Sequence, residues 1–372
     1  MVKTQYQSSA AIRARAELEK RKRERQPELD NIASSLLHFT KYTFSGNYVA
    51  EPAHQVIADT VDDVMDGEID RLIVTAPPQH GKSEIISVRL PAYWLGHYPD
   101  YPVILTSYAA TLAQDKSRQA RDLVESAVYR DVFPGVTTNP NARAVANWKL
   151  SGFRGEMVAA GVGGPILGHG AMLGIIDDPV ENWEHAQSPV MRQRTWDWWR
   201  RTFRTRIWEN GAIILVMSRW HEDDLIGRIL NSKGSSRWDI LRLPAISETQ
   251  EERDLSNDRL GLPNGLSDPL DRNPGESLCP YRYSLKELKI IKDATGTIGW
   301  SAGYQGVPSA PEGNVLKREM FNIIPSTPDD LDAEVWYWDK AATPGGGAYS
   351  CGINMGRKGS RYIVKAVVRG QW

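Results

Sequence analysis

Cysteine is nearly missing from this chain: Cys279 and Cys351 are the only two in 372 residues. They stand far apart, which excludes both a disulfide framework and a zinc-ligand spacing. Long apolar runs are absent as well, so no stretch is long enough to span a bilayer, and the opening Met1-Val2-Lys3-Thr4-Gln5 has none of the character of a signal peptide. A chain of this kind is expected in the cytosol, without a membrane partner. Charge of one sign is lacking too. The formal net charge is −1, which removes any global electrostatic hold on nucleic acid, so a DNA contact has to be local. No internal repeat is visible. What remains is ordinary: 41% apolar and 24% charged residues describe a globular protein long enough for two or three domains.

Against that background one stretch stands out. Ala76-Pro77-Pro78-Gln79-His80-Gly81-Lys82-Ser83 follows the apolar run Arg71-Leu72-Ile73-Val74-Thr75 and precedes a segment of helical character. A phosphate-binding loop needs backbone N–H groups that wrap the phosphates, a lysine that reaches the terminal one and a hydroxyl for Mg²⁺. Gly81, Lys82 and Ser83 supply these, while Ala76 stands where the pattern has its first glycine. The two prolines stiffen the loop, and Gly81 allows close backbone approach. Such a site also needs a carboxylate at the end of a buried strand. Leu173-Gly174-Ile175-Ile176-Asp177-Asp178-Pro179 provides two: Asp177 as the metal-site residue, together with Ser83, and Asp178 as the carboxylate that polarises the attacking water, with Glu181 as its rival.

Short apolar runs at 72–76, 103–107, 172–176, 212–217 and 239–243 predict strands, and the segments 109–127 and 189–208 predict helices. This alternation is the rhythm of a mostly parallel sheet covered on both faces. Within 189–208 the aromatic residues Trp196, Trp199 and Phe203, with Ile207, recur at helical spacing, with arginines on the other side. Residues 13–25 read as a charged, solvated helix, and Ile32, Leu36, Leu37 and Phe39 as a second, amphipathic one. The polar tract 247–274 reads as a linker. Two tempting motifs are set aside. The glycines of 161–170 lead into the Asp177 strand rather than opening a helix, so they predict a loop near the nucleotide or DNA surface and not a dinucleotide site. Adjacent residues of His221-Glu222-Asp223-Asp224 point apart on a helix and do not form a metal cluster.

Taken together, Pro77 to Ser83, Ile175-Ile176-Asp177-Asp178-Pro179, the run from Met217-Ser218-Arg219-Trp220-His221-Glu222 to Arg228, and Tyr337-Trp338-Asp339-Lys340-Ala341-Ala342-Thr343 resemble, in order and spacing, the large terminase subunit of tailed phages, the ATP-driven DNA-packaging motor. The resemblance implies an α/β fold. It consists of a helical arm (1–49), a P-loop ATPase domain of the additional-strand type (50–245), a linker subdomain (246–328) and the start of an RNase-H-like nuclease domain (329–372). It implies ATP and Mg²⁺ held by Gln79, His80, Gly81, Lys82, Ser83 and Asp177. His54-Gln55 falls at the adenine-contacting glutamine, where a carboxamide pairs both edges of the base. Met217-Ser218-Arg219 falls at the coupling motif, with Arg219 counted among the catalytic groups beside Lys82, Asp178 and Glu181.

Motors of this kind use an arginine finger, for which Arg118, Arg121 and the cluster Arg192, Arg194, Arg200, Arg201, Arg204 and Arg206 are candidates. In the last segment Asp339 matches the first carboxylate of a nuclease that works through a pair of divalent ions, Mg²⁺ or Mn²⁺. The chain ends at Trp372, before the positions of the family's other carboxylates, so the nuclease is expected to be incomplete. The implied partners are double-stranded DNA, the portal, a small terminase subunit and copies of the chain in a ring on the procapsid, in the cytoplasm of a bacterial host. Two other readings stay open: a prophage remnant that binds without turnover, and a helicase-like DNA-dependent ATPase.

Overall fold

The computed structural model describes residues 24–308 apart from 45, 47, 233, 235, 236 and 264, residues 321–340 apart from 329, residues 350–370, and residues 17 and 20. The chain divides into two compact units, Met1–Pro311 and Glu312–Trp372.

Six parallel strands form the heart of the first unit: β1 (Arg71–Thr75), β2 (Val103–Ser107), β5 (Glu156–Gly161), β6 (Ala171–Asp177), β7 (Ile207–Met217) and β8 (Asp239–Arg242). The hairpin β3 (Thr138–Ala144) and β4 (Asn147–Leu150) extends one edge antiparallel, giving the order β3-β4-β5-β2-β6-β7-β1-β8. Strands buried on both faces need apolar side chains at every position rather than at alternate ones. β2 and β5 are buried along their whole length, and β1 from its second residue on.

The five expected strands are present, β2 with the expected bounds and the others with ends shifted by at most five residues. β7 starts earliest relative to expectation, at Ile207. The strands β3, β4 and β5 went unread. β3 is the polar Thr-Asn-Pro-Asn-Ala-Arg-Ala on an exposed edge, and β5 is built largely of small residues. Strand β7 lies between β1 and β6, pairing Thr75 with Met217 and Asp177 with Val216. This inserted strand makes the sheet additional-strand in type, as expected.

Helices cover both faces. Residues 24–33 are helical, and α1 (Leu36–Thr43) follows after a break, so the expected amphipathic helix is two. Leu36, Leu37 and Phe39 are buried in the core with α2 (Pro52–Met65). The helix after the phosphate loop opens with a π turn (Glu84–Arg89) and continues as α3 (Leu90–His97). α4 (Ala110–Val124) and α5 (Ala127–Val132) follow β2.

The predicted single helix 189–208 is corrected. After the short α6 (Trp183–Gln187), α7 runs only over Pro189–Trp198, then widens into a π turn at Trp199–Phe203 and tightens into a 3₁₀ turn at Arg204–Arg206 before β7 begins. Its Trp198, Trp199 and Phe203 enter the core on one sheet face. α8 (Leu225–Leu230) follows β7.

The expected linker tract contains a helix, α9 (Gln250–Leu260). It is started by a Thr249/Glu252 capping box and stopped by Gly261 in the left-handed region. α10 (Leu285–Gly299) ends this unit's regular helices, and Leu278 and Cys279 join the main core.

The second unit is a three-stranded antiparallel sheet, β11-β10-β9, from β9 (Ala333–Asp339), β10 (Ser350–Lys358) and β11 (Arg361–Gly370). A bulge falls at Asn354/Met355. Residues 344–347, Pro-Gly-Gly-Gly in the sequence, lie outside the described residues. No described helix is long and apolar enough to cross a membrane.

Candidate nucleotide site at the carboxyl edge of the large sheet

Parallel strands end together, and the loops beyond their carboxyl ends are where such sheets bind ligands. Here β1, β6 and β7 deliver the phosphate loop, the acid pair and Ser218 to one place. The loop turns back through Gln79 and Gly81, both with positive φ (62° and 84°). Gly81 is constrained twice, because a Cβ there would also lie 2.5 Å from Nε2 of His54. His54 is buried in the first turn of α2, with Nδ1 accepting from the Glu51 amide (3.1 Å) and Nε2 3.2 Å from the His80 carbonyl.

Lys82 is 5% exposed. Its Nζ donates to Ser218 Oγ (3.2 Å) and stands 3.5 Å from Asp178 Oδ2. Ser218 Oγ in turn donates to the Ala76 carbonyl at 3.2 Å, closing a ring of contacts from the loop to the tip of β7 and back. Asp178 adopts φ 46°, in a region where Asp and Asn are tolerated better than most residues. Its Oδ1 accepts the Ser218 amide at 3.0 Å. Burial raises the pKa of Asp178, with Asp177 adding to the effect and Lys82 and the Ser218 amide opposing it.

Asp177 is fully buried and accepts from three side chains: Ser83 (3.1 Å), Ser87 (2.5 Å) and Lys116. The oxygen pair of Ser83 and Asp177 fits a hard divalent ion such as Mg²⁺ by its donor chemistry. Sequence reading missed Lys116 and Ser87. A signal existed for Lys116: it sits beside Ser117 in the buried stripe Ala113, Ser117, Ala120 of α4, where a solvated lysine is out of place.

Several expected site residues stand elsewhere. Glu181 is exposed and pairs with His185 (3.2 Å), so of the two rival carboxylates Asp178 is the one beside Lys82. Gln55 donates to Asp59 (2.6 Å) on the exposed side of α2. One residue of helical rotation gives the loop contact to His54 and turns Gln55 away. Arg219 is buried in a pair with Asp224 (2.6 Å) and donates along the 221–222 carbonyls, so it fixes the loop after β7 instead of joining Lys82.

In the same loop Asp224 caps α8 and Asp223 holds Arg192 and Arg228. Among the finger candidates, Arg118 pairs with Asp115, and Arg121 with Asp122. Asp339 ends β9, exposed. Among the described residues no group of three or more His, Cys, Asp or Glu side chains could hold a metal ion.

The strap 279–283 was also invisible in sequence. Arg282 donates to the Gln79 carbonyl (3.0 Å), the Tyr281 amide to Glu51 (3.1 Å), and Tyr283 stacks on His80 at 4.7 Å. Burial lowers the pKa of His80 to about 4. Between strap and loop lies a cavity of about 380 Å³ lined by Phe44, Tyr48, Gly81, Glu84, Tyr281 and Arg282.

An inserted strand between the phosphate-loop strand and the acid-bearing strand, with lysine, serine and two aspartates meeting at their ends, defines the additional-strand class of P-loop proteins. Residues 73–266, more than half of the chain, match the family described as terminase large subunit, T4likevirus-type, N-terminal, and the chain belongs to that family. Similar solved structures include the large terminase of bacteriophage HK97 (14% identity, 87% of this chain and 64% of that one, TM-score 0.44). They also include the large terminase of a thermophilic bacteriophage (8% identity, 87% and 69%, TM-score 0.43). The chain thus spans less than two thirds of the HK97 protein's length. No curated protein matches it.

Proposed function

We propose that this chain is the ATP-hydrolysing motor subunit that drives double-stranded viral DNA into a procapsid. The observation that carries the reading is the convergence on Lys82 of Ser218 and Asp178, with Ser83 and Asp177 beside them. The loop amides and Lys82 bind the β- and γ-phosphates. Ser83 and Asp177 hold Mg²⁺, which when bound neutralises phosphate charge. Asp178 orients the attacking water, and its raised pKa suits a group that handles a proton. The base lies in the cavity beside Gly81, against Tyr48 and under Arg282.

Loss of the γ-phosphate is felt by Lys82 and relayed through Ser218 to the loop after β7. The three-stranded sheet is the opening of an RNase-H-like nuclease with Asp339 as one ligand, and the partners are the portal, a small subunit and copies of the chain, in the bacterial cytoplasm.

Steady-state ATP hydrolysis with and without linear duplex DNA, beside Lys82→Ala, tests the motor reading. Turnover that falls by about two orders of magnitude or more in the variant supports it, in line with the loss of a transition-state contact. Wild-type protein that binds no ATP would overturn it.

A further inference from the structure

The segment that follows the acid pair carries charge in a way no other described part of the chain does. Residues 189–206 contain six arginines and a single acid, Asp197, in a protein of net charge −1. The aromatic side chains of this segment are spent on the core, since Trp198, Trp199 and Phe203 are buried. Its arginines face out: Arg194, Arg200, Arg201 and Arg204 are exposed. Arg194, Arg200 and Arg204 have no carboxylate partner among the described residues. Asp197 stands 3.9 Å from Arg201, whose side chain is still 80% exposed, and Arg200 lies over the Trp196 ring at 5.8 Å.

An ordinary solvated helix face looks different. On α4 each of Arg118 and Arg121 has an aspartate beside it, which is how a charged surface neutralises itself. A row of arginines left without counter-charges on a rigid, aromatic-anchored element is the footprint of a polyanion. Arg194 and Arg204 are ten residues apart, about 15 Å along a helical path, or roughly four to five base pairs of duplex.

The same segment is tied to the nucleotide site. Arg192 pairs with Asp223 at 3.0 Å, and Asp223 belongs to the loop that begins with Ser218, the partner of Lys82 and Asp178. A cavity of about 270 Å³ is lined by Pro179 and Glu181, just after the acid pair in sequence, together with Arg192 and Arg194.

We infer that the outer arginine face of residues 189–206 binds the phosphate backbone of duplex DNA, without reading its sequence, and is moved by the loop after β7. This rests on the reading of the chain as a DNA-packaging motor. Phosphate contacts of this kind position a duplex and make binding salt-dependent.

The test is duplex binding across a salt series, with basal ATP hydrolysis measured on the same samples, for wild type, Arg200→Glu/Arg204→Glu and Arg200→Lys/Arg204→Lys. The glutamate pair is expected to weaken duplex binding by about tenfold or more and to flatten the log–log salt slope by about two. DNA stimulation of hydrolysis is expected to be lost, and the lysine pair to retain binding. Unchanged duplex affinity and slope in a glutamate variant whose melting temperature matches wild type would overturn the inference. So would a variant that binds duplex normally and changes only the oligomeric state in sedimentation, which would give the face to a neighbouring copy. Failure of the motor reading shows separately, as absent ATP binding by wild type, and the duplex measurement remains valid in that case.

Discussion

The two sheets of this protein are built from similarly apolar strands and end up in opposite surroundings. In the large sheet Ile73, Leu105, Ile175 and Ile214 are fully buried. In the three-stranded sheet Tyr337 and Tyr362 are each 71% exposed, and Val335 and Val367 are each 60% exposed. Apolar, β-branched and aromatic residues make a strand in both cases, but burial comes from helices laid on the faces, and only the first unit has them among the described residues. Strand composition therefore reports what a strand is suited to, while its energetic weight depends on what covers it.

Truncation should separate the sheets most strongly. Ile214→Ala, in the middle of β7, is expected to cost about 2–5 kcal/mol, read as a loss of unfolding free energy in denaturant melts. A cost below about 1 kcal/mol would break the contrast.

A pH ramp should act on the large sheet alone. His80 is 1% exposed and its pKa lies near 4, below the usual 6.5, so below pH 6.5 the unfolded chain binds the extra proton. The His80 contribution is full above about pH 6.5 and falls by about 2–3 kcal/mol towards pH 4, offset in part by Asp62, whose carboxyl burial pushes up to about 6. His54, lowered by burial as well, acts in the same direction as His80. Amide exchange should show β1 losing protection over that range while β10 holds, and His80→Gln should flatten the loss.

The smallest effect is expected for Tyr337→Thr in β9, within about 0.5 kcal/mol of wild type by the same melts. A large destabilisation there would mean that the exposed face is covered in solution.

How much could be read in advance follows from the same physics. β1, β2, β6, β7 and β8 were legible because doubly covered strands are continuous apolar runs, while β3 was not, since an exposed edge puts no such demand on its residues. Lys82, Ser83, Asp177 and Asp178 were legible because the phosphate loop and the strand-end acids are local patterns. Lys116 and Arg282 reach the site from 34 positions after Lys82 and 203 after Gln79, and no local pattern encodes such a meeting. Gln55 and Arg219 had the right chemistry, but helical phase turned the first away and Asp224 claimed the second.

The widened turn behind the phosphate loop carries one more consequence. Glu84 and Arg89 pair at 2.7 Å across five positions, and Arg89 also donates to the Thr43 carbonyl at 3.1 Å. In a regular α-helix residues five apart point about 140° away from each other, so this ion pair exists only while the turn stays wide. It is a built-in gauge of winding: any event at Ser83 that tightens the coil must break the pair and loosen Arg89's hold on α1, turning a change of helical pitch into a signal at the amino-terminal segment.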